Sequence, residues 1–109
     1  MGGAEFVPVM RVEMVPEGRA VAIAIGGCSI LVCNSRGNLH AIENKCTHAE
    51  APLERGLIRN GWIACPAHGA RFDLETGAAL NPPAEKPVGT FATRVVDGTI
   101  EVAVRAKEC

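Results

Sequence analysis

The chain has 109 residues, the size of one folding domain, and its hydrophobic fraction of 48% is typical of a folded globule. Its 11 basic and 12 acidic residues give a formal net charge of −1, which makes the chain a poor candidate for a nucleic-acid-binding protein, because such a protein needs a basic face. Aromatic residues make up only 4% of the chain, which predicts an aliphatic core. We expect a single domain covering residues 1–109.

Short β-branched runs alternate with turn residues along most of the chain. The pairs Gly26-Gly27, Asn60-Gly61 and Asp97-Gly98, and the turn Arg36 to Asn38, separate these runs as tight hairpin turns do. Val12 to Glu17 has room for a single helical turn only, because Pro16 and Gly18 end it. We predict strands at about 5–10, 19–25, 28–34, 38–43, 57–59, 62–65, 70–73, 90–96 and 99–104. The predicted fold class is all-β, a small antiparallel β-sandwich or barrel.

Three irregular stretches interrupt this pattern: the first loop (residues 44–56), the second loop (65–69) and the proline segment (81–87). Long loops without secondary structure are usually functional in so small a domain. No apolar run is long enough to span a bilayer, and no signal peptide is recognisable at the N-terminus. We therefore expect a cytoplasmic protein, in which the five cysteines serve as metal ligands or thiols rather than disulfides.

The first two loops carry the residues best suited to bind a metal. Cys46 and His48 are followed, after sixteen residues, by Cys65 and His68, so each loop supplies one thiolate and one imidazole. A structural zinc finger usually pairs Cys with Cys in one loop and His with His in the other. The mixed pairs favour a two-iron cluster, in which one iron takes both thiolates and the other takes both imidazoles.

The motif, with Gly69-Ala70-Arg71-Phe72-Asp73 after it and the proline segment further on, resembles the Rieske [2Fe–2S] family. The resemblance extends from about residue 19 to residue 104. It implies a Rieske-type fold with a cluster-binding subdomain at about 44–73 and one [2Fe–2S] cluster per chain. It also implies that Cys46 and Cys65 bind the inner iron, whereas His48 and His68 bind the outer iron.

The same resemblance suggests a low reduction potential. High-potential members join their cluster loops by a disulfide, whereas the matching positions here are Ala51 and Ala67. Those members also donate hydrogen bonds to the cluster from a Ser and a Tyr, where this chain has Ala70 and Phe72. We expect a midpoint potential nearer about −150 mV than about +300 mV. Because imidazole binds only when neutral, acid should release the cluster.

A short chain of low potential resembles the Rieske-type ferredoxins of bacterial aromatic-ring dioxygenase systems. That resemblance implies a one-electron carrier, itself not an enzyme, between an NAD(P)H-dependent flavoprotein ferredoxin reductase and a terminal oxygenase. It implies a monomer without nucleic-acid or membrane partners. It also places an apolar rim for weak docking around the two histidines, formed by Ala49, Pro66, Ala67, Pro82 and Pro83.

Three other interpretations remain open at this point, one of them a domain trimmed from a full oxygenase. The chain could be the tightly held Rieske subunit of an enzyme such as an assimilatory nitrite reductase, since the second-loop motif occurs in both groups. It could also be a structural zinc module with no redox role.

The remaining candidates are expected to be structural. We predict that His40 lies at the surface or at a sheet edge, and that Cys28 and Cys33 act as small hydrophobic residues. Cys109 is expected to be an exposed thiol, and Trp62 is expected to pack in the core.

Overall fold

The computed structural model describes residues 5–46, 52–67, 69–82 and 86–104, and is almost entirely antiparallel β-structure. One turn of 3-10 helix, Val12–Met14, follows the first strand. The strands are β1 (Glu5–Arg11), β2 (Ala20–Ile25), β3 (Cys28–Ser35), β4 (Asn38–Glu43), β5 (Leu57–Arg59), β6 (Trp62–Ala64), β7 (Arg71–Asp73), β8 (Thr90–Phe91), β9 (Thr93–Val96) and β10 (Thr99–Val104). The predicted all-β fold class is confirmed.

The strands form three sheets. The terminal sheet has the order β1-β10-β9, the central sheet β2-β3-β4-β8, and the small sheet β5-β6-β7. Neighbouring strands pair antiparallel in all three. In the terminal sheet, Glu5 lies opposite Val104, so this sheet joins the two ends of the described chain.

Tight turns connect the hairpins at the predicted positions. The two turn residues have φ of 56° and 86° at Gly26-Gly27, and 44° and 83° at Asn60-Gly61. Arg36-Gly37 and Asp97-Gly98 repeat the pattern. Positive φ at both positions is the mark of a type I′ turn, whose twist matches that of the flanking strands. The Asn60-Gly61 turn therefore returns β6 alongside β5, between the first and second loops.

Strand β3 lies between two hydrophobic cores, which explains its continuous apolar sequence. Ile30 and Val32 belong to a core shared with Ile100 and Val102 of the terminal sheet. The alternate residues, Leu31 and Cys33, belong to a second core on the opposite side. That second core contains residues from both loops and from the small sheet, so the central sheet directly supports the candidate site.

The predicted strand at 90–96 is divided in the structure. Thr90 and Phe91 pair with β4 in the central sheet, whereas Thr93 to Val96 pair with β10 in the terminal sheet. The run therefore passes from one sheet to the other at Ala92, whose carbonyl accepts a hydrogen bond from Ala103 N at 2.9 Å. A continuous β-branched run in the sequence does not show the residue at which the chain changes sheets.

No helix within the described ranges is long and apolar enough to cross a membrane. The buried side chains are mainly aliphatic, as the composition predicted. Phe72 is the one aromatic residue among the buried hydrophobic residues of the described part of the chain.

Candidate metal centre

The first loop leaves the central sheet at the end of β4. Cys46 follows three residues after Glu43, the last residue of this strand, and is fully buried. His48, Ala49 and Ala51 lie outside the described residues, so the predicted role of His48 stays a prediction. The described part of the loop places one of the four predicted ligands, a thiol, at the top of the second core.

The second loop begins where β6 ends. The Cys65 amide donates to Ala70 O at 2.6 Å, and Gly69 N donates to Cys65 O at 2.9 Å. Gly69 has φ of +75°, which a side chain would strain. These bonds hold Cys65 at the base of a tight loop. His68 lies outside the described residues.

The structure brings the two predicted cysteine ligands into one apolar environment. Cys46 is 0% and Cys65 2% exposed, and both belong to the second core together with Leu53, Ala70 and Phe72. Of the four predicted ligands only these two lie among the described residues, and no group of three metal-binding side chains occurs there. Two buried thiols from separate loops fit the thiolate half of the predicted donor set. Ala70 and Phe72, both fully buried, offer no side-chain hydrogen-bond donor.

Asn44 joins the two ends of the first loop. Its Oδ1 accepts a hydrogen bond from Leu53 N at 2.8 Å. Its Nδ2 donates to Ser29 Oγ at 3.3 Å and to Glu54 Oε1 at 3.2 Å. The described part of the loop is thus anchored both to itself and to β3.

Gly56 allows the end of the first loop to pack closely on β6. A Cβ at this position would lie 2.8 Å from Ile63 Cγ1 and would overlap the carbonyl oxygen of Ala64. Only glycine permits this approach. The contact brings the end of the first loop against the strand that leads into Cys65.

The proline segment is fixed at the two ends that the structure describes. At its start, Asn81 Oδ1 accepts from Arg71 N at 2.7 Å, and Asn81 Nδ2 donates to Pro82 O at 3.0 Å. After its end, Val88 N donates to Gly77 O at 2.8 Å. Gly89 N donates to Glu43 Oε1 at 2.7 Å. Pro83 and Ala84 lie outside the described residues.

A surface depression of about 520 Å³ lies between the two loops. Its lining residues are Pro52, Glu54, Arg55, Pro66 and Ala67. Pro66 and Ala67 are both members of the predicted apolar rim. The sequence pattern had not indicated Pro52, or the adjacent charged residues Glu54 and Arg55. The described part of the rim is therefore apolar with one acidic and one basic side chain.

Of two predictions about other residues, the one for Trp62 is wrong. His40 is half-buried on β4, just before Ala41 and Ile42, the two residues of this strand that pair with β8. It lines a cavity of about 580 Å³ that also contains Asp73 and Glu75. Burial lowers the pKa of His40, and the negative charges of Glu75 and Asp73 oppose this shift. Trp62 is half-buried on the small sheet, with the Arg71 guanidinium 5.2 Å from its ring centroid, rather than packed in the core.

The remaining cysteines divide into two cases. Cys33 is a buried thiol, as predicted, and burial raises its pKa to about 12. Cys28 is buried too, but it is disulfide-bonded, so the expectation of thiols alone is wrong for this residue. Cys109 lies outside the described residues.

Comparison with known proteins agrees with this geometry. The pattern of the Rieske [2Fe–2S] domain matches residues 5–92. The chain belongs to the Rieske [2Fe–2S] domain family. The cofactor of this family is a [2Fe–2S] cluster, and the two buried thiols are compatible with it.

Similar proteins include ferredoxin components of dioxygenase systems. The ferredoxin component of the naphthalene 1,2-dioxygenase/salicylate 5-hydroxylase systems of Ralstonia sp is 35% identical over 83% of this chain and 86% of its own. The structure of the ferredoxin of carbazole 1,9a-dioxygenase from Nocardioides aromaticivorans IC177 is 33% identical, with a TM-score of 0.85, over 90% of this chain and 96% of that one. A third similar structure is a chain in the complex of reduced oxygenase and oxidized ferredoxin in carbazole 1,9a-dioxygenase. It is 28% identical, with a TM-score of 0.84, and the match covers 90% of this chain and 92% of that chain.

The metal-binding motif does not contain the polar residues that support the Rieske loops. Asn44, Asn81 and Glu43 make the side-chain hydrogen bonds just described. The available signal was their position, because each lies within a few residues of a loop that has no regular secondary structure. That signal is weak, since asparagine is common in turns of every kind.

Proposed function

We propose that Cys46 and Cys65 bind the inner iron of the [2Fe–2S] cluster and that His48 and His68 bind the outer iron. One-electron transfer is the chemistry that such a cluster supplies when bound. The proposed cluster-binding subdomain, at about 44–73, belongs to a single domain formed by residues 1–109. The observation that carries the proposal is the burial of Cys46 and Cys65 in one apolar core at the start of two separate loops.

The surrounding residues exclude water from the thiol side of the site. Leu53 and Phe72 are fully buried in the same core. The amide of Cys65 donates a hydrogen bond to Ala70 O, which makes the base of the second loop rigid. A rigid, dry site limits the reorganisation that accompanies a change of charge, which suits a carrier of single electrons.

The absence of side-chain donors at Ala70 and Phe72 supports a low midpoint potential. Hydrogen bonds to cluster sulfurs stabilise the more negative, reduced state and raise the potential. Neither a methyl group nor a phenyl ring can make such a bond. We propose a value near the low end of the Rieske range, about −150 mV.

We further propose that the protein carries electrons in the cytoplasm from an NAD(P)H-dependent flavoprotein reductase to a terminal oxygenase. The similarity to ferredoxin components of dioxygenase systems supports this role. The similarity to a ferredoxin seen with its oxygenase supports the second partner. The apolar rim, including Pro66, Ala67 and the exposed Pro82, suits a weak and rapidly exchanging complex.

The ligand set is tested by a visible spectrum of the purified protein before and after dithionite, with iron and sulfide counted on the same sample. We expect a red-brown protein with two irons and two sulfides per chain that bleaches partly on reduction. His48→Ala and His68→Ala should lose this spectrum, whereas His40→Ala should keep it. A colourless protein containing zinc would support the structural zinc module instead and would contradict electron transfer.

The carrier role is tested by mixing the protein with a flavoprotein reductase, NADH and a terminal oxygenase of an aromatic-ring dioxygenase system. We expect turnover that depends on the ferredoxin. Pro82→Lys should slow the transfer several-fold while keeping the spectrum, and Pro16→Lys, at an exposed proline remote from the loops, should not. Stable stoichiometric co-purification with a nitrite reductase would support the tightly held subunit and contradict the free carrier.

A further inference from the structure

We propose that Asn81 is a positioning residue for the cluster site, because its side chain holds the start of the proline segment against the second loop. The proposal rests on the proposed ligand set, since it assigns the second loop to the cluster. It adds a residue that the metal-binding motif does not contain.

The hydrogen bonding of Arg71 shows why a side chain is needed here. Strand β7 pairs with the segment that follows its turn, through Asp73 N to Ala78 O at 2.9 Å and Leu80 N to Arg71 O at 2.8 Å. In a regular antiparallel ladder, Arg71 N would then donate to the carbonyl of Leu80. In this structure Arg71 N donates to Asn81 Oδ1 at 2.7 Å. The side-chain carbonyl thus replaces a backbone carbonyl where the chain leaves the ladder.

The other half of the amide points into the proline segment. Asn81 Nδ2 donates to Pro82 O at 3.0 Å, and it lies 3.5 Å from Gly69 O in the second loop. A single side chain therefore contacts Gly69, Arg71 and Pro82. Proline has no N–H with which to continue a ladder, so the backbone of Pro82 cannot donate a replacement bond.

The position of these contacts gives them functional weight. Gly69 directly follows the proposed ligand His68, and its amide donates to the carbonyl of Cys65, the other proposed ligand of this loop. The contacts of Asn81 with Arg71, Gly69 and Pro82 link the start of the proline segment to the end of the second loop.

Loosening this contact is expected to change the midpoint potential of the cluster. Water that enters between the proline segment and the second loop stabilises the more negative reduced state, so the midpoint potential rises. Water also gives acid and chelators access to the iron, so the cluster is lost faster. A residue that only supported the fold would change the thermal stability without changing the potential.

The test uses the holoprotein and three variants. Asn81→Ala removes both halves of the amide. Asn81→Asp keeps an oxygen acceptor for Arg71 N, but it loses the donor to Pro82 O and Gly69 O and adds a negative charge. Asn38→Ala, at the exposed first residue of β4, is the control. The measurements are the midpoint potential, the rate of bleaching with an iron chelator, and hydrogen exchange of the peptide containing Arg71.

For Asn81→Ala we expect an upward shift of the midpoint potential, bleaching several-fold faster than in the wild type and faster exchange at Arg71. Asn81→Asp should restore slow exchange at Arg71 and should lower the potential, because its charge disfavours reduction. Asn38→Ala should match the wild type in all three measurements.

Two outcomes would overturn the proposal. The first is a lower melting temperature of Asn81→Ala with an unchanged potential and bleaching rate, which would show a purely structural role. The second applies if Asn81→Ala retains no cluster. Recovery of the full iron content in Asn81→Asp would then support the proposal, and failure to recover it would overturn the proposal. A wild-type protein without two irons would instead refute the proposed ligand set, whatever the variants show.

Discussion

The side-chain carbonyl of Asn44 accepts a hydrogen bond from the backbone amide of Leu53 at 2.8 Å, across the first loop. Leu53 is fully buried, so the bond ties the path of the loop to the core. Cys46 lies between these two residues in the chain, and its burial depends on the same stretch of backbone. A residue without metal-binding chemistry thus defines the ends of the loop that contains Cys46.

Replacing Asn44 tests this relationship. Asn44→Ala leaves the amide of Leu53 without its acceptor, and we expect the free energy of unfolding to fall by about 1–3 kcal/mol. In a Glu54→Gln background, which removes the carboxylate that Asn44 Nδ2 contacts, Asn44→Asp should lose less than Asn44→Ala, because its oxygen still accepts from Leu53 N. Urea denaturation measures both effects, with Asn38→Ala as the control. Equal losses in the Ala and Asp variants would show that the bond to Leu53 is unimportant.

Phe72 provides a test of the low potential. Phe72→Tyr places a hydroxyl donor in the second core, where it can stabilise the reduced cluster, so the midpoint potential should rise. Phe72→Leu changes the packing without adding a donor and should show no comparable rise. Redox titration of the two variants measures the difference. If both have the same midpoint, the missing donor at this position does not explain the low potential.

Gly77 and Gly18 form a matched pair of glycines, both with φ of +80°. A Cβ at Gly77 would overlap the carbonyl oxygen of Val88, whereas a Cβ at Gly18 would meet nothing within 4 Å. Gly18→Ala should therefore cost about 1–2 kcal/mol from backbone strain alone. Gly77→Ala should cost at least about 3 kcal/mol, because overlap adds to the same strain. Thermal or urea unfolding compares them; equal costs would mean that Val88 moves away freely.

The stability of the protein should depend on the protonation of His40. Burial lowers its pKa below the usual 6.5, with Glu75 and Asp73 opposing the shift. As the pH falls through about 6.5, the unfolded chain binds the proton first, so the free energy of unfolding declines. His40→Gln should remove this part of the decline. Urea titrations at about pH 7.5 and 5.5 measure it as the difference between wild type and variant, which cancels any loss of cluster common to both. Parallel curves for the two proteins would exclude a contribution from His40.

The turn chemistry accounts for most of the fold that could be predicted. Pairs such as Asn60-Gly61 and Asp97-Gly98 favour positive φ at adjacent residues, and that local preference survives in the folded chain. The corner at Ala92 could not be predicted, because it depends on which sheet each half of the run joins. The half-buried position of His40 likewise depends on packing between β4 and the turn after β7, which are far apart in the sequence.

The candidate site shows the same division. The spacing of the proposed ligands predicted two loops, and the structure buries Cys46 and Cys65 in one core. The hydrogen bonds of Asn44 and Asn81 could not be predicted, since an amide side chain finds its partners only after the loop path is set. The metal-binding residues can therefore be predicted from residue type and spacing, whereas the hydrogen bonds that support the loops depend on long-range geometry.

The pairing of β1 with β10 also has a consequence for synthesis of the chain. Phe6 leaves the ribosome well before its partner Ala103 and well before Arg94, whose guanidinium lies 4.1 Å from its ring. At typical elongation rates this delay is on the order of ten seconds. Hairpins joined by tight turns can form during that time, whereas β1 cannot pair until β10 has been synthesised. The nascent chain is therefore most exposed to misassociation through its N-terminal strand.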